Sequence, residues 1–198
     1  MPHSDQHKKQ SLLLHTCCGP CATHVIELLL QDYDVTAYFY NPNIQPEEEY
    51  LKRLAAIEQY CSAKSIVLVK GLYESQKWRD MVVDLQDEPE GSKRCEACFS
   101  FRLRETARFA KENSFPVFAT TLTISPHKNA AVVNKAGQDA SKTANVQFLE
   151  ADFKKGDGYR KSCELTKRLG LYRQSYCGCL YSKRLKGEPA APERQRDE

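Results

Sequence analysis

The chain lacks any apolar run long enough to cross a membrane. It opens M-P-H-S-D-Q-H-K-K-Q, a polar start followed by an apolar run too short for the core of a secretory signal. The expected setting is therefore the cytoplasm, with no membrane partner. Internal repeats are absent too, which excludes a solenoid or a propeller. Charge of one sign is scarce in sum: 29 Lys and Arg stand against 26 Asp and Glu, a net of +3. That small total hides an asymmetry. Between Lys154 and Arg184 nine basic residues face only Asp157 and Glu164, so this stretch carries +7 and the remainder −4. A concentrated basic segment on a nearly neutral body suggests a polyanion such as nucleic acid, although a solvated surface explains such a stretch equally well.

Cysteine, by contrast, is plentiful, with nine in 198 residues. In a small secreted chain that count reads as a disulfide framework; in a reducing compartment it turns towards ligands and reactive thiols. The length suits one domain with a real core. Residues 11–184 read as that single catalytic domain, with 1–10 and 185–198 as disordered ends, the latter rich in Pro, Ala and alternating charge.

Hydrophobic patterning alternates strand and helix. Leu12 onward is a short apolar strand that runs into H-T-C-C-G-P-C, three thiols around a Gly-Pro turn, and a helix follows with Ala22, Val25, Ile26, Leu29 and Leu30 on one face. Asp34–Tyr40 has strand composition, Glu47–Ala63 helical spacing behind Pro46, and Ile66–Val69 is a third strand. Further on come a helix near Trp78–Leu85, a loop delivering R-C-E-A-C-F to a helix at Phe99–Lys111, and a strand at Val117–Thr121. A helix at Ala130–Thr143, a strand at Val146–Glu150 and a helix near Ser162–Leu169 complete the order. The pattern predicts an α/β fold: a doubly wound, mainly parallel, Rossmann-like sheet of about five strands with helices on both faces. In such a sheet ligands bind beyond the strands' carboxyl edge, where the thiols of the first loop would lie.

Seven of the nine cysteines form three groups: Cys17, Cys18 and Cys21; Cys95 and Cys98; Cys177 and Cys179. Loops after different strands open at one edge, so the groups can converge on a metal site of four thiolates, either tetrahedral zinc or an iron-sulfur cluster. Groups some eighty residues apart beside a crevice favour the cluster over a zinc ribbon. Buried or merely redox-capable thiols are the plainer alternative. Cys177-Gly178-Cys179 differs in kind, since a C-x-C disulfide is strained and easily reduced. Cys61 and Cys163 read as small buried side chains. His127, in the loop beyond the fourth strand, is a candidate proton donor. Asn41 and Asn43 are candidate substrate contacts, although an N-P-N turn accounts for them as well. Arg173 and Tyr176, within a stretch where Tyr159, Tyr172 and Tyr181 interleave with basic residues, are candidate contacts to unpaired bases.

Six ordered motifs then carry a resemblance: H-T-C-C-G-P-C, Y-N-P-N-I-Q-P-E-E-E-Y-x-x-R, R-C-E-A-C-F-x-x-R-L-x-x-T-A, T-T-L-T-I-S-P-H-K-N, D-F-K-K and Y-R-Q-S-Y-C-G-C-L-Y-S. Over about Leu12–Ser182 the chain resembles the QueH family of epoxyqueuosine reductases, which implies a fold of the HUP type. It also implies removal of the epoxide oxygen of epoxyqueuosine at the wobble position of a tRNA anticodon, with an unidentified electron donor. The implied cofactors are a 4Fe-4S cluster on Cys17, Cys18, Cys95 and Cys98 and one additional iron ion, for which Cys21 is a candidate ligand. The implied redox-active disulfide is Cys177–Cys179. Related PP-loop enzymes carry a Ser/Gly-rich phosphate loop where this chain has C-C-G-P-C, so ATP binding is not supported. A zinc-stabilised RNA-binding module and a thiol-disulfide oxidoreductase are the rival classes.

Overall fold

The computed structural model describes residues 9–183; residues 1–8 and 184–198, with most of both expected disordered ends and Arg184 of the basic segment, lie outside the described residues. Five strands form one sheet: β1 (Gln10–His15), β2 (Tyr33–Phe39), β3 (Val67–Lys70), β4 (Val117–Thr120) and β5 (Gln147–Phe148). Their order is β3-β2-β1-β4-β5 and every neighbouring pair is parallel. The alternating sequence pattern thus yields the doubly wound sheet it predicts.

β1 lies at the centre and is apolar on both faces, as a strand covered from both sides must be. Leu12 and Leu14 pack with Val25, Ile26, Ile57 and Tyr60, whereas Leu13 packs with Leu103, Ala107, Val133 and Ala140. One layer therefore holds α1 (Gly19–Leu29) and α2 (Glu47–Ala63), joined by α6 (Gly158–Arg168) packed on α1. The other holds α4 (Lys93–Glu112) and α5 (Ala130–Ala144), with the short α3 (Ser75–Met81) beside α4. The chain winds outwards from β1 through β2 to β3, then crosses back so that β4 lies on the other side of β1. The carboxyl ends of β1 and β4 are the switch point where a crevice opens.

Two helices begin earlier than the sequence patterning predicts. Gly19 and Pro20 are not a turn but the first turn of α1, where proline's missing N–H costs nothing. Cys95 and Cys98 are not on a loop: α4 starts at Lys93, so both lie in its first two turns, three residues apart on one face. Nothing after Gly91 breaks a helix, which is why it extends back to them. β1 likewise starts at Gln10, inside the stretch expected to be disordered. Trp78 lies inside α3, which begins at Ser75 and stops at Met81.

His15, the last residue of β1, is completely buried. Its Nε2 lies 3.1 Å from the Tyr40 carbonyl, which can only accept, so the proton is on Nε2 and Nδ1 accepts from the Thr120 hydroxyl at 2.9 Å. The ring thereby ties β1 to β2 and β4 at the crevice. Burial, with the Arg102 charge second, pulls its pKa from 6.5 to about 3. The unfolded chain takes up this proton below about pH 6.5 and the folded chain does not, so His15 stabilises the fold above 6.5 and loses that contribution as pH falls towards 3. In the metal-free protein this adds up to about 1.4 kcal/mol per pH unit across the window. Denaturant unfolding between pH 7 and 4 is expected to show a shallower slope for His15→Gln than for wild type; equal slopes would mean that His15 does not titrate there.

Candidate metal and substrate site

The three thiols of the first loop meet at the switch point. The Cys17 N–H donates to the Thr121 hydroxyl at 3.3 Å, which in turn faces the Cys17 sulfur at 3.6 Å. Cys18 is the N-cap of α1, and its sulfur accepts from the Cys21 N–H at 3.4 Å. The sulfurs of Cys17, Cys18 and Cys21 all lie within 4.8 Å of one another, with Cys17 and Cys18 3.8 Å apart. Thiolates around one tetrahedral ion with bonds of about 2.3 Å are spaced about 3.8 Å. Soft sulfur donors at this spacing fit zinc or iron, and a cluster spreads its ligands wider.

Hydrogen bonds from Cys18 and Cys21 hold the Cys17 thiol well below the ordinary value, with Lys128 and Arg102 helping against burial. Burial and the bond to Cys17 push Cys18 up to about 12, and bonds to both neighbours raise Cys21. A metal ion would deprotonate all three.

Cys95 and Cys98 are not brought into that three-thiol group. The Cys95 sulfur accepts from the Gly91 N–H at 3.1 Å. With Cys177, His127 and Lys128 it lines a small side pocket beside the main cavity, whose walls share those last three residues. Cys98 is buried with Trp78, Val82 and Cys179. Burial raises Cys95 and Cys179 and pushes Cys98 up to about 11. Each thiol of the C-G-C segment thus shares surroundings with one thiol of α4.

The segment after α6 is strapped across α2 by a buried guanidinium. Arg53 donates through Nη1 to the Cys177 carbonyl at 2.9 Å, through Nη2 to the Tyr176 carbonyl at 3.0 Å and through Nε to Glu49 at 2.7 Å. The Gln45 N–H donates to the Gly178 carbonyl at 2.8 Å. Gly178 adopts φ +135°, and a Cβ there would come within 3.0 Å of Ile44 Cγ1 and 3.1 Å of Arg53 Nη1. Only glycine fits between the two thiols.

Thiols, strap and the loop after β4 enclose a cavity of about 810 Å³. Arg53, Arg102, Lys128, Arg173 and Lys183 line it, against the single carboxylate of Glu90. Burial disfavours the charge on Lys128, but the Cys177, Cys17 and Cys21 thiols more than offset this and hold it protonated. His127 is exposed at the rim, its N–H on the Ser125 hydroxyl at 3.3 Å. Arg173 donates to the Tyr159 hydroxyl at 2.7 Å and lies over its ring; Tyr176 donates to the Gln45 carbonyl at 2.5 Å beneath Arg53. All four line the cavity.

Three expectations need correcting. Asn41 is fully buried, with its amide spent on the Thr16 carbonyl and the Arg102 guanidinium, so it braces the site and offers a substrate nothing. Asn43 is buried beside Gly178 and is not a wall of the cavity. Cys163, expected in the core, is half-buried and lines the cavity instead. Sequence reasoning also missed Arg53, Arg102, Lys128 and Gln174. The two arginines end the motifs Y-x-x-R and C-F-x-x-R, and Arg102 falls four residues after Cys98, on the same face of α4.

A profile of the family described as Epoxyqueuosine reductase QueH matches residues 12–185. A curated relative of that name from Streptococcus pyogenes serotype M1 is 40% identical over 185 residues, 90% of this chain and 72% of the relative. Another, from Thermotoga maritima, is 39% identical over 175 residues, covering 87% and 90%. The chain belongs to the QueH family. The motif resemblance is borne out over the span in which it was read. Among solved structures, U34-tRNA thiolase NcsA from Methanococcus maripaludis with its [4Fe-4S] cluster aligns at TM-score 0.54 and 16% identity, over 91% of this chain and 63% of that one. Such a likeness bears on fold alone and agrees with the Rossmann-like sheet. Among the described residues of this QueH-family chain no helix is long and apolar enough to cross a membrane.

Gly178→Ala is expected to destabilise the protein by about 1–3 kcal/mol through backbone strain and the contacts with Ile44 and Arg53. It should also loosen Cys177 and Cys179. Thermal unfolding and the rate of Cys179 alkylation check this, and an unchanged melting temperature would show that the strap tolerates a side chain.

Proposed function

We propose that this chain is a cytoplasmic epoxyqueuosine reductase that removes the epoxide oxygen at the wobble position of a tRNA anticodon to give queuosine. The observation that carries the reading is a thiol-floored, cation-rimmed cavity in a chain of this family. Breaking both carbon–oxygen bonds of an epoxide to leave an alkene and water consumes two electrons and two protons. The Cys177 and Cys179 thiols, on closing a disulfide, release the same number of each, and an outside electron donor must then reopen it. His127, at the rim, is positioned to hand a proton to the departing oxygen. Lys128 and Arg102 favour negative charge developing there.

An iron-sulfur cluster would be held by Cys17, Cys18, Cys95 and Cys98, leaving Cys21 for a further iron ion, and when bound it supplies one-electron chemistry. The rest of the work falls to the chain itself. An anticodon base is unpaired and can be splayed into the cavity, with Tyr159, Arg173 and Tyr176 as stacking surfaces at its wall. The basic stretch from Lys154 onwards would track the flanking phosphates.

Anaerobic purification with iron and sulfide counting, followed by turnover on epoxyqueuosine-containing tRNA, tests the reading. Cys17→Ser and Cys95→Ser should abolish visible cluster absorbance and turnover together, and full activity in either would remove the cluster from the account. Zinc in place of iron and sulfide would favour the RNA-binding module instead. Cys179→Ser should keep the absorbance and stop multiple turnover. Affinity for tRNA should fall steeply between 50 and 200 mM salt, as phosphate contacts release counterions; a flat response would show that the basic stretch does not touch the backbone.

A further inference from the structure

Three of the four thiols assigned to the cluster have a hydrogen-bond donor directed at the sulfur. Cys17 faces the Thr121 hydroxyl, and Cys95 the Gly91 N–H. Cys18 receives, besides the Cys21 N–H, the side-chain amide of Gln174 at 3.0 Å. Cys98 packs instead beside the indole of Trp78. This tryptophan is 1% exposed, its Nε1 has no hydrogen-bond partner, and it lies in the small buried cluster that Cys98 and Cys179 complete. A buried N–H left without an acceptor is costly, and a coordinating Cys98 sulfur is the group at hand that would satisfy it.

A donor aimed at a coordinating sulfur stabilises negative charge on it. The reduced form of an iron-sulfur centre carries one more negative charge than the oxidised form, so such donors favour reduction. We infer that Gln174, through Cys18, and Trp78, through Cys98, set the reduction potential of the centre and hold it higher than the thiols alone would. They are positioning residues that act on the centre through its thiols, and the inference rests on the iron-sulfur reading above. Gln174 stands three residues before Cys177 on the same strap, so the segment that carries the dithiol also reaches the first-loop thiols.

The test compares wild type, Gln174→Leu, Trp78→Phe and the double variant, each loaded anaerobically with iron and sulfide. Iron and sulfide are counted, and the midpoint potential is then read from the visible absorbance in a spectroelectrochemical titration. Both single variants are expected to load as wild type does and to titrate at more negative potential, the double variant further than either. Full loading with the wild-type potential in both would overturn the inference and leave the cluster reading standing. A wild-type protein that takes up no iron and sulfide would overturn both. Gln174 is half-buried and its replacement leaves the core intact, so it decides the matter if Trp78→Phe does not fold. A Gln174→Leu protein that folds but cannot be loaded would make that residue a structural support and refute the tuning role.

Discussion

Arg53 brings a full positive charge into the interior, at 2% exposure, and the arrangement of the site depends on how that charge is satisfied. A lone buried guanidinium is untenable, so Glu49 one turn earlier on α2 supplies the counter-charge, and two strap carbonyls take the remaining directions of the fork. Tyr172 donates to the other Glu49 oxygen at 2.6 Å. The strap is therefore held to α2 by charge-assisted hydrogen bonds as well as by the burial of Leu171 in the core. Removing one partner from such a pair costs about 3–5 kcal/mol, because the other is left charged and buried. Bonds of this kind are directional as well as strong, which suits a segment that must present Cys177 to the cavity while keeping Cys179 beneath it.

The same economy of cations governs the cavity. Arg102 braces Asn41 and lines the wall, while Lys128 shares the cavity with Cys17, Cys21 and Cys177. Five cations gather at this one opening against the single carboxylate of Glu90. This explains why a chain of net charge only +3 can still present a strongly basic opening. Sulfur needs such help, because burial alone pushes nearly every thiol here towards its neutral form.

Much of this was legible in the sequence and some was not, for identifiable reasons. Leu12–Leu14, the β-branched and aromatic residues of β2 and the spacing of α2 are strong periodic signals, and the alternation of strand and helix follows from them. The thiol groups announced a site by residue type alone. What failed was the placement of Cys95 and Cys98 on a loop: a helix starting at Lys93 carries no capping hydrogen bond from Ser92 to mark it, and with it the helical register that puts Arg102 on the same face was lost. Asn41 misled because a turn asparagine and a buried brace look alike until the groups around them are known. Gln174 and Arg53 make their contacts with residues far away in sequence, which periodicity cannot reveal.

The cap of α1 carries one more consequence. Serine, threonine or aspartate oxygen accepts an N–H far better than sulfur does, and at an N-cap the difference amounts to a sizeable part of about 1 kcal/mol. Cys18 holds that position with a 3.4 Å contact. The hydroxyl analogue would start the helix more firmly and forfeit the ligand, so selection for mere robustness would steer this position towards serine. The central helix of the domain thus begins on an inferior acceptor, a sulfur grouped within 4.8 Å of two others.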